Sequence, residues 1–100
     1  MYDLKGKVAL VPGSGGKRGI GRAIVKRLAS HGAYLVVNDV ENQSRGQDGW
    51  DGVNSVVGEV QEIGGQAMGV IADVSDAVEV EEMVNRVVDR FGRLDILINN

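Results

Sequence analysis

Apolar and polar positions fall in blocks along this chain. Val8-Ala9-Leu10-Val11 is a continuous apolar run, the mark of a strand buried on both faces, and Pro12-Gly13 ends it. A glycine-rich stretch follows to Gly21. Ile20, Ala23, Ile24, Arg27 and Leu28 then recur at helical spacing, and Gly32 stands where a left-handed C-terminal cap belongs. Tyr34-Leu35-Val36-Val37 predicts a second buried strand, ending at Asn38-Asp39. From Glu41 to Gly52 the chain is polar and glycine-bearing, an irregular loop. Val53, Val56, Val57, Val60 and Ile63 give a second helical stripe, closed by Gly64-Gly65, and Ala67-Met68-Gly69-Val70-Ile71 predicts a third strand. Asp76 with Glu79 three residues on has the spacing of a capping box. It opens a helix with Val80, Met83, Val84, Val87, Val88 and Phe91 on one face, Arg90 in its last turn and Gly92 at its end. Leu94, Ile96, Leu97 and Ile98 predict a fourth strand, before Asn99-Asn100.

The order βαβαβαβ selects an architecture. Parallel strands need crossovers, and right-handed crossovers lay the helices on the sheet faces. The valine-rich helices have weak intrinsic propensity, so packing on the sheet must stabilise them. The expectation is an α/β fold, half of a doubly wound parallel sheet with strand order 3-2-1-4. Such sheets bind ligands beyond the carboxyl ends of the strands, where the order reverses. Each predicted strand ends there in a polar or glycine-rich motif: Gly13–Gly21, Asn38-Asp39, Asp73-Val74 and Asn99-Asn100.

Composition narrows the choice. At 43% hydrophobic and 25% charged the chain is ordinary for a globular domain, neither disordered nor collagen-like. Its apolar runs of about four residues are far short of the roughly 20 that cross a bilayer, so no membrane association is expected. There is no cysteine, hence no disulfide framework or thiolate metal site, and the single histidine makes a histidine metal cage unavailable. The net charge of -3 argues against nucleic acid as a partner. The charge is uneven, with seven Lys/Arg against one acid in residues 1–30 and four against thirteen in residues 31–100. The basic end coincides with the glycine loop. The polar start Met1-Tyr2-Asp3-Leu4-Lys5 is no secretory segment, and a cytoplasmic protein is expected.

The loop carries the chemistry. Glycines let backbone N–H groups approach a phosphate, and the helix behind points its positive end at the same place. A P-loop fails, because Arg18 stands where Gly-Lys requires Ser or Thr, and the strict G-x-G-x-x-G fingerprint fails in every register. The looser G-x-x-x-G-x-G fits as Gly15-x-x-x-Gly19-Ile20-Gly21. Asp39, eighteen residues past Gly21, can accept both ribose hydroxyls of an adenosine and would repel a 2′-phosphate. Lys17 and Arg18 pull towards a 2′-phosphate, but Asp39 has the shorter reach, so NAD is expected over NADP. Asp73 could bond an adenine amino group with Val74 packed on the ring; its plainer reading is an acid at a helix start. His31 reads as a helix C-terminal residue, Trp50 as a local packing anchor, and Met83 and Phe91 as core.

These residues, taken together, resemble the short-chain dehydrogenase/reductase family along the whole chain. The matching pieces are Gly6 to Val11, Gly19 to Ile24, Gly32-Ala33 with Asp39, Asp73-Val74, Phe91 to Asp95 and Leu97 to Asn100. The resemblance implies a Rossmann fold, a nicotinamide cofactor and hydride transfer to or from an alcohol or carbonyl. Carried over residue by residue, Gly13, Ser14, Gly15, Arg18, Gly19, Ile20 and Gly21 lie on the pyrophosphate side, Asp39 on the adenosine ribose, Asp73-Val74 on the adenine and Asn100 on the nicotinamide side. Two features depart from the family: Pro12-Gly13 stands for its usual Thr-Gly, and the loop is two residues longer. The stretch from Glu41 to Gly52 looks like that of members acting on acyl thioesters. The family's catalytic Ser and Tyr-x-x-x-Lys lie further along; Tyr2 and Tyr34 have Gly6 and Asn38 at the lysine position. The resemblance therefore implies that residues 1–100 are a partial Rossmann domain, the cofactor half of an enzyme, inactive alone and homo-oligomeric when intact. The alternative is a non-catalytic nucleotide-binding or structural module of the same fold.

Overall fold

In a strand, successive side chains point to opposite faces, so a strand covered on both sides must be apolar throughout. The computed structural model, which describes residues 3–42 and 49–98, meets that demand in Val8–Val11 and in residues 35–37. Its elements are β1 (Val8–Val11), α1 (Ile20–Ser30), β2 (Tyr34–Asp39), α2 (Gly52–Glu62), β3 (Ala67–Ile71), α3 (Ala77–Phe91) and β4 (Ile96–Leu97). The four strands form one parallel sheet in the order β3-β2-β1-β4, as the sequence predicts. Ala9, Val11, Leu35, Val37 and Ala67 cluster with Val25 and Ala29 of α1 and Val53, Val56 and Val60 of α2. Val8, Leu10, Val36, Met68 and Val70 cluster with Met83 and Val87 of α3. The alternation thus sorts α1 and α2 to one face and α3 to the other.

Helix ends follow from local chemistry. Asp76 caps α3, accepting from the amides of Val78 (2.9 Å) and Glu79 (3.2 Å). The capping box is only half formed, because the Glu79 carboxylate turns to the amide of Asp73 (3.2 Å) instead. Gly92 closes the helix in the left-handed region at φ 80°. Gly32 follows α1 at φ 95°, where a Cβ would also lie 3.2 Å from the Lys5 backbone, so any other residue would be strained there. His31 is the C-cap of α1.

Four apolar positions, Ile20, Ala23, Ile63 and Val88, differ from the periodicity reading by facing solvent. The buried line of α1 is Gly21, Val25 and Ala29, with Ile24 and Leu28 beside it. Seating Gly21 against the sheet turns Ile20 outward, 75% exposed. Ile63 lies past the last turn of α2 and is exposed, as is Val88 on the flank of α3. β4 is also shorter than predicted. Leu94 precedes it, because Asp95 folds its carboxylate onto the Val8 amide (2.9 Å) while paired with Arg93. Among the described residues, no helix is long and apolar enough to cross a membrane.

Candidate functional site

The carboxyl ends of β1 and β2 meet at Ser14. Its amide donates to the Asn38 carbonyl (2.8 Å) and its hydroxyl to the Val11 carbonyl (2.6 Å), and the residue is fully buried. Gly13 before it takes φ 67°, a turn that glycine makes at no steric cost. Gly15 is buried as well. Its amide donates to Oδ2 of Asp39 (3.1 Å) and its carbonyl accepts from the Trp50 indole (3.0 Å). A Cβ on Gly15 would lie 3.0 Å from Val53 Cγ1 and 3.3 Å from the Asp39 Cβ. Glycine here serves close packing, and the polar groups of Ser14 and Gly15 are committed to the protein rather than turned to a ligand. From Lys17 the loop is exposed: Arg18, Gly19 and Ile20 all face solvent, and Gly21 returns to the core.

Asp39 ends β2 where the sequence places it. It is 4% exposed, and its second oxygen accepts from the Val40 amide (2.8 Å). Both carboxylate oxygens thus hold backbone amides at the carboxyl edge of the sheet. Beside it Asn38, 1% exposed, donates from Nδ2 to the carbonyls of Val70 (3.0 Å) and Ala72 (3.2 Å), locking the ends of β2 and β3 together. The sequence reading gave Asn38 no role, although a polar residue closing an apolar run was the available signal.

Asp73 stands in the turn that leads into α3. Its carboxylate accepts from the amide (2.9 Å) and hydroxyl (2.7 Å) of Ser75, and its carbonyl from the Asp76 amide, building the turn into α3. The Ser75 hydroxyl, and then its amide, hold that carboxyl below the usual range. Val74 is 52% exposed and borders a groove of about 420 Å³ beside Leu10, Pro12, Met83, Leu97 and Ile98. The groove lies over the paired strands β1 and β4, against Val80, Met83 and Val84 of α3. Asn100 lies outside the described residues.

The start of α1 is bare. Gly19 is its N-cap, no side chain accepts from the first amides, and no acid stands in the first turn. α2 differs, since the Val53 amide donates to Asn42 (3.2 Å). Gly19 has φ -81°, open to any residue, and a Cβ there would meet nothing closer than 3.8 Å. The protein itself therefore does not require glycine at this cap, where Ser, Thr, Asp or Asn would stabilise the helix. The cationic Lys17, Arg22 and Lys26 line the surface next to it. Arg22 pairs with Glu59 of α2, and this hydrogen bond raises the arginine and lowers the carboxyl. Among the described residues no cluster of acids and histidine could hold a metal ion.

The sequence profile of the family described as short chain dehydrogenase matches residues 7–100. A cyclohexanol dehydrogenase of Rhodococcus sp. (strain TK6) is 45% identical over 97% of this chain and 37% of its own length. A 3-oxoacyl-[acyl-carrier-protein] reductase of Synechocystis sp. is 37% identical over all of this chain and 37% of its own. The crystal structure of a hydroxysteroid dehydrogenase from Escherichia coli superposes with a TM-score of 0.82 at 34% identity, covering 98% of this chain and 37% of that one. The chain thus spans a little over a third of the length of each of these three proteins.

Proposed function

The chain belongs to the short chain dehydrogenase family, and on that premise we propose that it is the dinucleotide-binding portion of an oxidoreductase. The reaction is hydride exchange between a nicotinamide coenzyme and an alcohol or carbonyl compound. One observation carries the reading: α1 opens on a glycine that the fold does not need, with its amides uncapped, at the carboxyl edge of the sheet. A helix start left without an acceptor suits a diphosphate. Gly13, Arg18, Gly19 and Ile20 are exposed there and fit its approach, while Ser14, Gly15 and Gly21 hold the loop behind them.

Asp39 takes the adenosine ribose and disfavours a 2′-phosphate by charge, so NAD is preferred to NADP. Val74, exposed on the groove wall, packs on the adenine, and Asn100 serves the nicotinamide side. When bound, the nicotinamide supplies or takes up the hydride. These 100 residues contain no Tyr-x-x-x-Lys, so binding is the part assigned to them. Residues 1–100 are then one portion of a larger Rossmann domain, in a protein that works as a homo-oligomer. Simple alcohols and ketones are the first substrate class, and acyl thioesters the second, since one relative's name carries a 3-oxoacyl group on acyl-carrier-protein.

The second reading, a nucleotide-binding module without turnover, draws on Pro12 and the lengthened loop. Titrating the intact protein with NADH and NADPH, and assaying cyclohexanol oxidation, separates the two. Saturable binding that favours NADH, with turnover, is expected. Binding without turnover on any alcohol or ketone supports the module, and indifference to both coenzymes overturns the dinucleotide reading.

A further inference from the structure

Arg22 joins the glycine loop to α2 and to the Trp50 ring. It is the third residue of α1. Its Nη1 donates to the Lys17 carbonyl (2.7 Å), its Nε to Oε1 of Glu59 (2.7 Å), and its Nη2 to Oε2 of the same carboxylate. Its guanidinium lies over the Trp50 ring, 4.9 Å from the centroid. Trp50 in turn donates its indole N–H to the Gly15 carbonyl (3.0 Å). Two loop carbonyls, those of Gly15 and Lys17, are therefore gripped from the protein side by one connected set.

A peptide unit is planar, and its C=O and the next N–H point in opposite directions when it is trans. No cis peptide occurs among the described residues. Fixing the Gly15 carbonyl inward thus turns the Gly16 amide outward, and fixing the Lys17 carbonyl does the same for the Arg18 amide. Neither amide donates to a protein acceptor among the described residues. Both belong to the stretch leading into the bare start of α1.

We propose that Trp50, Arg22 and Glu59 are positioning residues that orient the peptide planes of the glycine loop, so that the Gly16 and Arg18 amides face a diphosphate. This rests on the dinucleotide reading. Glu59 holds the Arg22 fork flat, Arg22 supports the Trp50 ring, and each grips one carbonyl directly or through the other. A loop with more residues than a minimal turn gains from such external anchors, beside its own Gly16 carbonyl to Gly19 amide bond (3.4 Å).

The test compares ADP with adenosine as probes, by calorimetric titration of the intact protein. Trp50→Phe keeps a ring under Arg22 and removes the indole N–H; Glu59→Gln keeps the shape and removes the charge. Each should weaken ADP roughly fivefold, the worth of one hydrogen bond, and leave adenosine within about twofold. Hydrogen exchange of the unliganded variants should speed up at residues 15–18 and not in β2. Should Trp50→Phe disturb the core, Glu59→Gln still decides the matter at the surface. Equal losses for ADP and adenosine, or no loss for either, overturn the positioning set. Wild-type protein that ignores both ADP and NADH overturns the dinucleotide reading itself, a distinct result.

Discussion

The Gly15 amide donates to the Asp39 carboxylate across 3.1 Å, so the loop after β1 and the acid ending β2 form a single unit. Sequence logic assigns the two residues to neighbouring parts of a dinucleotide, the pyrophosphate and the adenosine ribose. In the fold they support each other directly.

Replacing Asp39 with Ala should then have two effects. The amides of Gly15 and Val40 lose a buried acceptor, which should lower stability by on the order of 2 kcal/mol in urea unfolding. Affinity for NAD should also fall more than affinity for NADP. A drop in stability with an unchanged NAD/NADP ratio would make Asp39 a loop anchor and nothing more.

Two glycines offer opposite outcomes. Gly15→Ala forces a methyl group to 3.0 Å from Val53 Cγ1 and 3.1 Å from the Val53 amide nitrogen, and should destabilise by about 1–3 kcal/mol. Gly58→Ala sits inside α2 with open space around it, and should stabilise by about 0.5–1 kcal/mol through helix propensity. Thermal melts of the pair check both signs.

Acid should loosen the molecule through named carboxylates. Arg22 holds Glu59 below the ordinary range, and Arg93 with the Val8 amide does the same for Asp95. A carboxyl with a lowered folded pKa binds fewer protons folded than unfolded. Its contribution is complete above the unfolded value and fades as pH falls through the folded one. Melting temperature should therefore hold from neutrality to about pH 5 and decline below about pH 4. Glu59→Gln should flatten part of that decline, and an identical acid limb would contradict the assignment.

The strands were legible because their environment imposes one pattern. A strand covered on both faces tolerates no polar interruption, and Val8–Val11 and Tyr34–Asp39 begin where the apolar runs begin. Helix faces were less legible. The α1 stripe expected from periodicity runs through Ile20 and Ala23, both exposed, whereas close approach to the sheet selects Gly21, and this rotates the helix. The site was legible only where function shapes local sequence, as in the glycines and Asp39. Its supports were not, since Arg22 meets Glu59 across 37 positions and Trp50 meets Gly15 across 35. Such partners are set by how α1 and α2 lie on the sheet, which no local spacing encodes. Asp73 shows the converse: a motif residue whose Oδ1 also builds the turn it starts.

Gly19 makes resilience and affinity rivals at one residue. Its backbone would admit an aspartate, and Gly19→Asp should seal the helix mouth and raise the melting temperature by the worth of about 1 kcal/mol. The same carboxylate would sit where the coenzyme's own negative charge belongs, and dinucleotide affinity should collapse. The apoprotein is thus tuned below its attainable ruggedness, and a heat-selected variant blind to function would be drawn to this position.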